Sequence, residues 1–307
     1  MDRLTLEKLL RPPQGRVHAV IDTDTFNEVD DQFALAYLLR SPEAVQIDAI
    51  YAAPFLNEKA ATAEEGMEKS LAEIQKVLRL AGAEEDGPVT LPGARSFLKD
   101  ETTPVMSDAV QDLVARAKRH SKDDPLYVIA IAAATNIASA LLAAPEIVDR
   151  IVIFWLGGSA LHRPGEAEFN LMEDLPAARV LFRSGAALVQ VPCWGVAEHF
   201  TVSRAELERH LAGHGALSDY LAQNTIAEVE SYAAGTLWTK TIWDVTAAAW
   251  LLNRQGQFLR DWMIPAHCPE PDHTYSALEN DHWMGYVYHV ERDALMTDLF
   301  RKLTGRM

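Results

Sequence analysis

A dense group of acidic residues lies within 20–31, where the sequence is Val-Ile-Asp-Thr-Asp-Thr-Phe-Asn-Glu-Val-Asp-Asp. Asp22 and Asp24 are two residues apart, so on an extended chain they point to the same side. Asp30 and Asp31 start the next predicted helix, where exposed N–H groups and the helix dipole favour anions. One carboxylate is enough to cap that helix, and the others repel each other unless a cation lies between them. Oxygen ligands without nearby Cys or His predict Ca²⁺ or Mg²⁺ and not zinc.

The acidic segment follows an apolar run at 16–22 that predicts a buried strand. Strands that are apolar on both faces and alternate with helices predict an α/β fold, with an open, mostly parallel, Rossmann-like sheet covered by helices on both faces. Ligand crevices form at the carboxyl ends of such strands, which is where the acidic residues lie. The predicted strands are 16–22, 45–52, 89–91, 126–133, 151–156, 188–191 and 285–290, and the predicted helices are 32–40, 58–80, 108–120, 135–144, 175–184 and 293–303.

The chain has 307 residues and neither an internal repeat nor a Gly/Ser/Pro-rich linker. We therefore expect a single domain over 1–307, with a mostly helical excursion around 204–253.

Composition limits the partners. The chain has 28 Lys and Arg against 44 Asp and Glu, a net charge of −16, which argues against binding to nucleic acid or to an anionic membrane. No window reaches the roughly 18 to 20 apolar residues that span a bilayer. Two cysteines cannot form a disulfide framework. We expect a cytoplasmic protein that acts on a small molecule.

Two enzyme families have an Asp-x-Asp after the first strand. The segment Asp22-Thr23-Asp24-Thr25 resembles the first motif of the haloacid-dehalogenase-like phosphatases. The same segment, extended to Asp30, Asp31 and Ala34, resembles the nucleoside hydrolase opening D-x-D-x-x-x-D-D-x-x-A, with two more residues in the turn.

Three later segments favour the nucleoside hydrolases. Residues 134–138, Ala-Thr-Asn-Ile-Ala, resemble the family's Leu-Thr-Asn-Ile-Ala, although two alanines replace the usual Gly-Pro before it. Gly157-Gly158 followed by Ala-Glu-Phe-Asn at 167–170 resembles the family's glycine pair and Ala-Glu-Phe-Asn. Trp243-Asp244 lies where the family has His-Asp. The four matches come in order and span most of the chain.

The resemblance implies a Ca²⁺-dependent N-ribohydrolase that cleaves ribonucleosides to free base and ribose, working as a homodimer or homotetramer. Asp24 would be the general base that activates a Ca²⁺-bound water. The metal ligands would be Asp24, both oxygens of Asp31, the backbone carbonyl of Thr135, and Asp244. The substrate contacts would be Asp30, Asn57, Glu168, Asn170 and Trp243.

Trp243 departs from the family pattern, because an indole N–H is only a donor and cannot act as a general acid near neutral pH. Either another group protonates the leaving base, with His273, Tyr275 and His282 as candidates, or aromatic stacking favours a purine leaving group. Trp238 is a second candidate for a stacking wall, unless it packs in the core. The alternative is a catalytically impaired, Ca²⁺-dependent protein that binds a nucleoside or ribose.

Overall fold

An eight-stranded sheet forms the centre of the computed structural model, which describes residues 3–278 and 282–305. The strands are β1 Val17–Thr23, β2 Val45–Ala52, β3 Val89–Pro92, β4 Leu126–Ala130, β5 Ile151–Leu156, β6 Ala187–Val191, β7 Thr201–Ser203, β8 Thr239–Thr241, β9 Leu259–Pro265, β10 His267–Pro269, β11 Tyr275–Ala277 and β12 Trp283–Val290. The order in the large sheet is β3-β2-β1-β4-β5-β6-β12-β9. Its strand pairs are parallel except β12 with β9, and β7–β8 and β10–β11 form separate antiparallel pairs.

Helices cover both faces of this sheet. They are α1 Arg3–Leu9, α2 Asp31–Leu39, α3 Ala63–Ala81, α4 Asp108–Ala117, α5 Thr135–Ala143, α6 Phe169–Glu173, α7 Leu175–Arg183, α8 Arg204–His210, α9 Ala216–Ala233, α10 Val245–Ala249 and α11 Arg292–Thr304. Neighbouring residues of one strand enter opposite cores. In β1, Val20 and Ile21 lie in different hydrophobic clusters, and in β5 the same holds for Phe154 and Trp155. The predicted fold class is confirmed.

Several predicted elements have different bounds, and several strands were not predicted. Helix α3 begins at Ala63 and not at residue 58, because Thr62 caps it by accepting the Glu65 N–H at 3.1 Å. Strand β4 ends at Ala130 although the apolar run continues, since the buried turn that follows is as apolar as the strand. Residues 259–277 contain β9, β10 and β11, which the sequence patterns did not predict.

The 204–253 region is mostly helical as expected, with β8 as an added strand. The single-domain organisation stays a prediction. Among residues 3–278 and 282–305, no helix has the length and apolar character needed to cross a bilayer.

The sheet topology creates the crevice. From β1 the chain first adds β2 and β3 on one side and later β4, β5 and β6 on the other, so the connections that follow β1 and β4 turn away from each other at the carboxyl ends of these strands. Backbone hydrogen bonds continue past the strand ends: the Ala53 N–H donates to the Thr23 carbonyl at 2.8 Å and the Ile131 N–H to the Asp22 carbonyl at 2.9 Å. Residues directly after these strands are therefore held in fixed positions.

Candidate active site

A cavity of about 190 Å³ opens at the carboxyl ends of the central strands. It combines carboxylates, amides and two indole rings. Its lining residues are Asp24, Asn27, Glu28, Asp30, Asp31, Ile131, Leu156, Glu168, Phe169, Asn170, Cys193, Trp194, Trp243 and Asp244.

Three buried carboxylates meet on one side of the cavity. Asp30, Asp31 and Asp244 each offer one oxygen, and these oxygens lie within 4.8 Å of one another. Asp31 is the first residue of α2, and Asp244 directly precedes α10. The Thr23 hydroxyl donates to Asp31, and the Trp243 N–H donates to Asp30 Oδ2 at 3.1 Å. The Thr23 and Trp243 donors are neutral and only the Lys240 ammonium acts on Asp30, so the three carboxylates keep an excess of negative charge and could hold a metal ion.

Burial and mutual repulsion shift these groups toward the protonated form. Burial, and then the neighbouring carboxylates, raise the pKa of Asp24, Asp31 and Asp244 well above the ordinary value. Burial and Glu28 raise the pKa of Asp30 to about 7, although the Lys240 ammonium opposes the shift.

Asp24 lies outside the group of three but lines the same cavity. Its Oδ2 atom is buried and has no hydrogen-bond partner within residues 3–278 and 282–305. A buried oxygen without a donor, next to three acidic neighbours, suits a hard divalent cation, which favours the charged form of every carboxylate around it.

Glu168 and Asn170 line the same cavity and follow β5 in the chain. Glu168 caps α6: its Oε1 accepts the Asn170 N–H at 3.0 Å, and its Oε2 accepts the N–H groups of Gly158 at 2.7 Å and Leu171 at 3.0 Å. The Asn170 Nδ2 donates to the Leu156 carbonyl at 3.0 Å. Both side chains are thus fixed by backbone groups before any ligand arrives.

Two tryptophans line the cavity next to the carboxylates. The rings of Trp194 and Trp243 are perpendicular within a few degrees, with an interplanar angle of 79°. The Trp194 Nε1 donates to the Ala167 carbonyl at 3.1 Å, which fixes this ring to the segment that carries Glu168. Trp238 packs against the core, as Trp243 also does, but does not line the cavity.

Two predicted site residues do not line this cavity. The Thr135 hydroxyl donates to Asp174 Oδ2 at 2.7 Å in the first turn of α5, and Ile131 lines the cavity at the end of β4 in its place. The Asn57 Nδ2 donates at 2.6 Å to Oδ1 of Asn27, which does line the cavity.

The three predicted leaving-group acids also lie outside the cavity lining. The Tyr275 hydroxyl accepts the Ser159 N–H at 3.1 Å, and the His282 Nε2 lies 3.1 Å from the Ala186 carbonyl. His273 occupies a tight turn with φ of 62°. None of the three is positioned to reach a ligand in the cavity as it stands.

Sequence analysis missed Asn27, Glu28, Ile131, Cys193 and Trp194. One signal was present for two of them: the segment Val-Pro-Cys-Trp-Gly follows β6, at the same edge of the sheet as the acidic residues.

Comparison with known proteins agrees with this geometry. A pyrimidine-specific ribonucleoside hydrolase, RihA of Citrobacter koseri, is 26% identical over 240 residues, which cover 69% of this chain and 76% of RihA. The solved plant nucleoside hydrolase PpNRh1 is 18% identical with a TM-score of 0.75, over 95% of this chain and 99% of that one. A purine-preferring ribonucleoside hydrolase from Gardnerella vaginalis is 21% identical with a TM-score of 0.75, over 94% and 98%.

Sheet, crevice and relatives together define an enzyme of the N-ribohydrolase class, which acts on small nucleoside substrates. The model of the inosine-uridine preferring nucleoside hydrolases matches residues 19–292, and the chain belongs to this family. The phosphatase interpretation of the Asp22–Thr25 segment is therefore dropped.

Proposed function

We propose that this enzyme hydrolyses ribonucleosides in a Ca²⁺-dependent reaction and prefers purine nucleosides. One observation carries the proposal: buried Asp30, Asp31 and Asp244 share a single cavity with Glu168 and Asn170, so charged oxygens and fixed hydrogen-bonding groups are available to one sugar.

The proposed Ca²⁺ ligands are Asp24, Asp31 and Asp244. The backbone carbonyl of Thr135 stays a proposed ligand, as the family resemblance implies, and Ile131, which lines the cavity directly after β4, is a second candidate for a backbone ligand. Asp30 adjoins these ligands and accepts from the Trp243 backbone. Bound Ca²⁺, with its roughly six to eight oxygen ligands, would supply positive charge that keeps the carboxylates ionised and polarises the oxygens around it.

Asp24 is the proposed general base. Its unpartnered Oδ2 accepts a proton from the attacking water, whose oxygen bonds to the anomeric carbon of the ribose as the bond from that carbon to the base nitrogen breaks. The electron pair of that bond leaves with the nucleobase, which then takes a proton from solvent.

The sugar contacts stabilise the transition state. Asp30, Glu168 and Asn170 are proposed to hydrogen-bond the ribose hydroxyls and to hold the ring as positive charge develops on it. Because backbone groups already fix Glu168 and Asn170, little ordering is needed on binding, and the reacting carbon stays aligned with the water.

The tryptophan pair supports the purine preference. Trp194 and Trp243 offer two aromatic surfaces at the cavity, and a two-ring base buries more area against them than a one-ring base. Trp243 replaces the family's His, so the chain lacks that imidazole for protonating a pyrimidine. The named relatives include one pyrimidine-specific and one purine-preferring enzyme, so membership of the family leaves this choice open.

Ribose release from inosine, adenosine, guanosine, uridine and cytidine tests the proposal. We expect turnover of the purine nucleosides with added Ca²⁺, at least tenfold slower turnover of the pyrimidine nucleosides, and loss of both with a chelator. Binding of nucleoside without ribose release would favour the catalytically impaired alternative, and full activity in the chelator would exclude the Ca²⁺ requirement. Homodimer or homotetramer assembly and a cytoplasmic location stay predictions.

A further inference from the structure

A buried polar network contacts the 157–159 turn, whose Gly158 N–H donates to Glu168, and its side chains do not line the cavity. Its centre is the Tyr275 hydroxyl, which accepts the Ser159 N–H at 3.1 Å and the Gln190 Nε2–H at 3.2 Å. The same Gln190 nitrogen donates to the Gly157 carbonyl at 3.0 Å. Two residues of one turn after β5, Gly157 and Ser159, are thereby held by side chains from β6 and β11.

His267 fixes the orientation of the Gln190 amide. Because the Gln190 nitrogen donates to two acceptors, its Oε1 is the acceptor for His267 Nε2, 2.9 Å away. Burial lowers the pKa of His267 to about 4, so the ring is neutral at physiological pH and carries its proton on Nε2. The amide cannot flip without breaking all three contacts.

The turn is shaped around the Tyr275 hydroxyl. Gly158 has φ of +71°, and a Cβ atom there would lie 2.1 Å from the Tyr275 oxygen. Only glycine allows this approach. The Gly158 N–H donates to Glu168 Oε2 at 2.7 Å, so a single residue separates Tyr275 from the proposed ribose-binding carboxylate.

We propose that Tyr275, held by Gln190 and His267, is a positioning residue that fixes the 157–159 turn and through it Glu168. The inference rests on the proposed function, in which Glu168 contacts the ribose. It assigns a role to the β10–β11 hairpin. The hairpin supports Glu168 through the 157–159 turn and does not supply a proton.

Tyr275→Phe tests the inference, with Tyr286→Phe as a matched control. The Tyr286 hydroxyl also accepts a backbone N–H of the same segment, that of Leu161 at 3.0 Å, but it does not contact the 157–159 turn. Each variant therefore loses one hydroxyl and one acceptor for a backbone donor. Gln190→Met is a second variant. It keeps a side chain of similar length and removes the two hydrogen bonds that Gln190 Nε2 donates, to the Gly157 carbonyl and to the Tyr275 hydroxyl.

In steady-state hydrolysis of inosine with saturating Ca²⁺, we expect Tyr275→Phe to raise KM about tenfold while kcat stays within about threefold. The reason is that a loosened Glu168 weakens substrate and transition-state binding alike. Tyr286→Phe should leave both constants within about twofold. Equal KM values for the two variants would overturn the inference.

Hydrogen–deuterium exchange supplies a readout independent of turnover. Tyr275→Phe and Gln190→Met should speed exchange of the Gly158 and Ser159 amides at least fivefold, and Tyr286→Phe should affect Leu161 alone. Unchanged exchange at Gly158 and Ser159 would overturn the positioning role even if the enzyme is active. The wild-type protein could release no ribose while the two variants still exchange these amides faster than it does. That result would retain the positioning role and reject the proposed function.

Discussion

The indole rings of Trp194 and Trp243 meet edge to face, with their centroids 5.2 Å apart. Trp243 directly precedes Asp244, and its backbone N–H donates to Asp30. The aromatic surface proposed for the base is thus the sequence neighbour of a proposed metal ligand. A substitution at Trp243 therefore affects base recognition, and its effect on metal binding must be measured as well.

Trp243→His should widen the range of bases. We expect the uridine kcat/KM to rise about tenfold. General acid catalysis typically accelerates a reaction by about 10² to 10⁴-fold, and a newly introduced imidazole should give only part of that acceleration. Steady-state kinetics on uridine and inosine measures this. Trp262→His, at an exposed tryptophan of β9 outside the cavity lining, is the control. An unchanged uridine rate would mean that the leaving base is handled elsewhere.

Asp24→Asn should lower kcat by about 10³-fold or more, because an amide cannot accept the proton of the attacking water. The chelated variant should unfold at a higher temperature than the chelated wild type, since removing one of several buried like charges relieves their repulsion. Calorimetry and ribose release measure the two effects. Asp293→Asn, at a side chain that is 91% exposed, should change neither. A kcat near the wild-type value would exclude Asp24 as the base.

Metal and pH should be coupled through the same carboxylates. A pKa that is raised on folding means that the folded chain keeps a proton that the unfolded chain has released, so stability falls as pH rises from about 4 to about 7 for Asp30. In the proposed function, bound Ca²⁺ replaces those protons. We expect one fixed Ca²⁺ concentration, about 100 times the Kd at pH 8, to raise Tm by about 5 °C at pH 8 and by much less at pH 5, where protons compete with the ion. A Tm increase independent of pH would place the ion elsewhere.

Gly158→Ala should cost more stability than the same change at Gly185. Both residues have positive φ, +71° and +78°, but only Gly158 has a close neighbour, whereas a Cβ at Gly185 meets nothing within 4 Å. We expect about 1 kcal/mol for Gly185→Ala and about 2 to 4 kcal/mol for Gly158→Ala by denaturant unfolding. Tyr275→Phe, which removes the nearby hydroxyl, should restore part of the unfolding free energy lost by Gly158→Ala. It should restore none of that lost by Gly185→Ala. Equal costs at the two glycines would contradict the close packing described here.

The acidic residues were predictable because they directly follow a strand with a clear apolar pattern, and the residues that end parallel strands meet at one edge. Ile131 was not, since it carries no charge that singles it out in a sequence, and for Trp194 the position after β6 was the only signal. The roles of Thr135 and Asn57 stay predictions, because the backbone direction of a turn decides which groups face the cavity. Strand β9 escaped prediction because it is an edge strand, and its residues Arg-Asp-Trp interrupt the apolar run.

The contact between Trp243 and Asp30 joins positions 213 residues apart. Closing so long a loop is entropically costly, and it must happen before Asp244 can join the carboxylates near the amino terminus. A nascent chain that has emerged only through β6 therefore holds Asp24, Asp30 and Asp31 without Asp244. If these residues bind Ca²⁺ as proposed, high-affinity cation uptake is a late event in biosynthesis, and calcium capture by a partly synthesised or truncated chain would report how much of the carboxyl-terminal half has reached its final place.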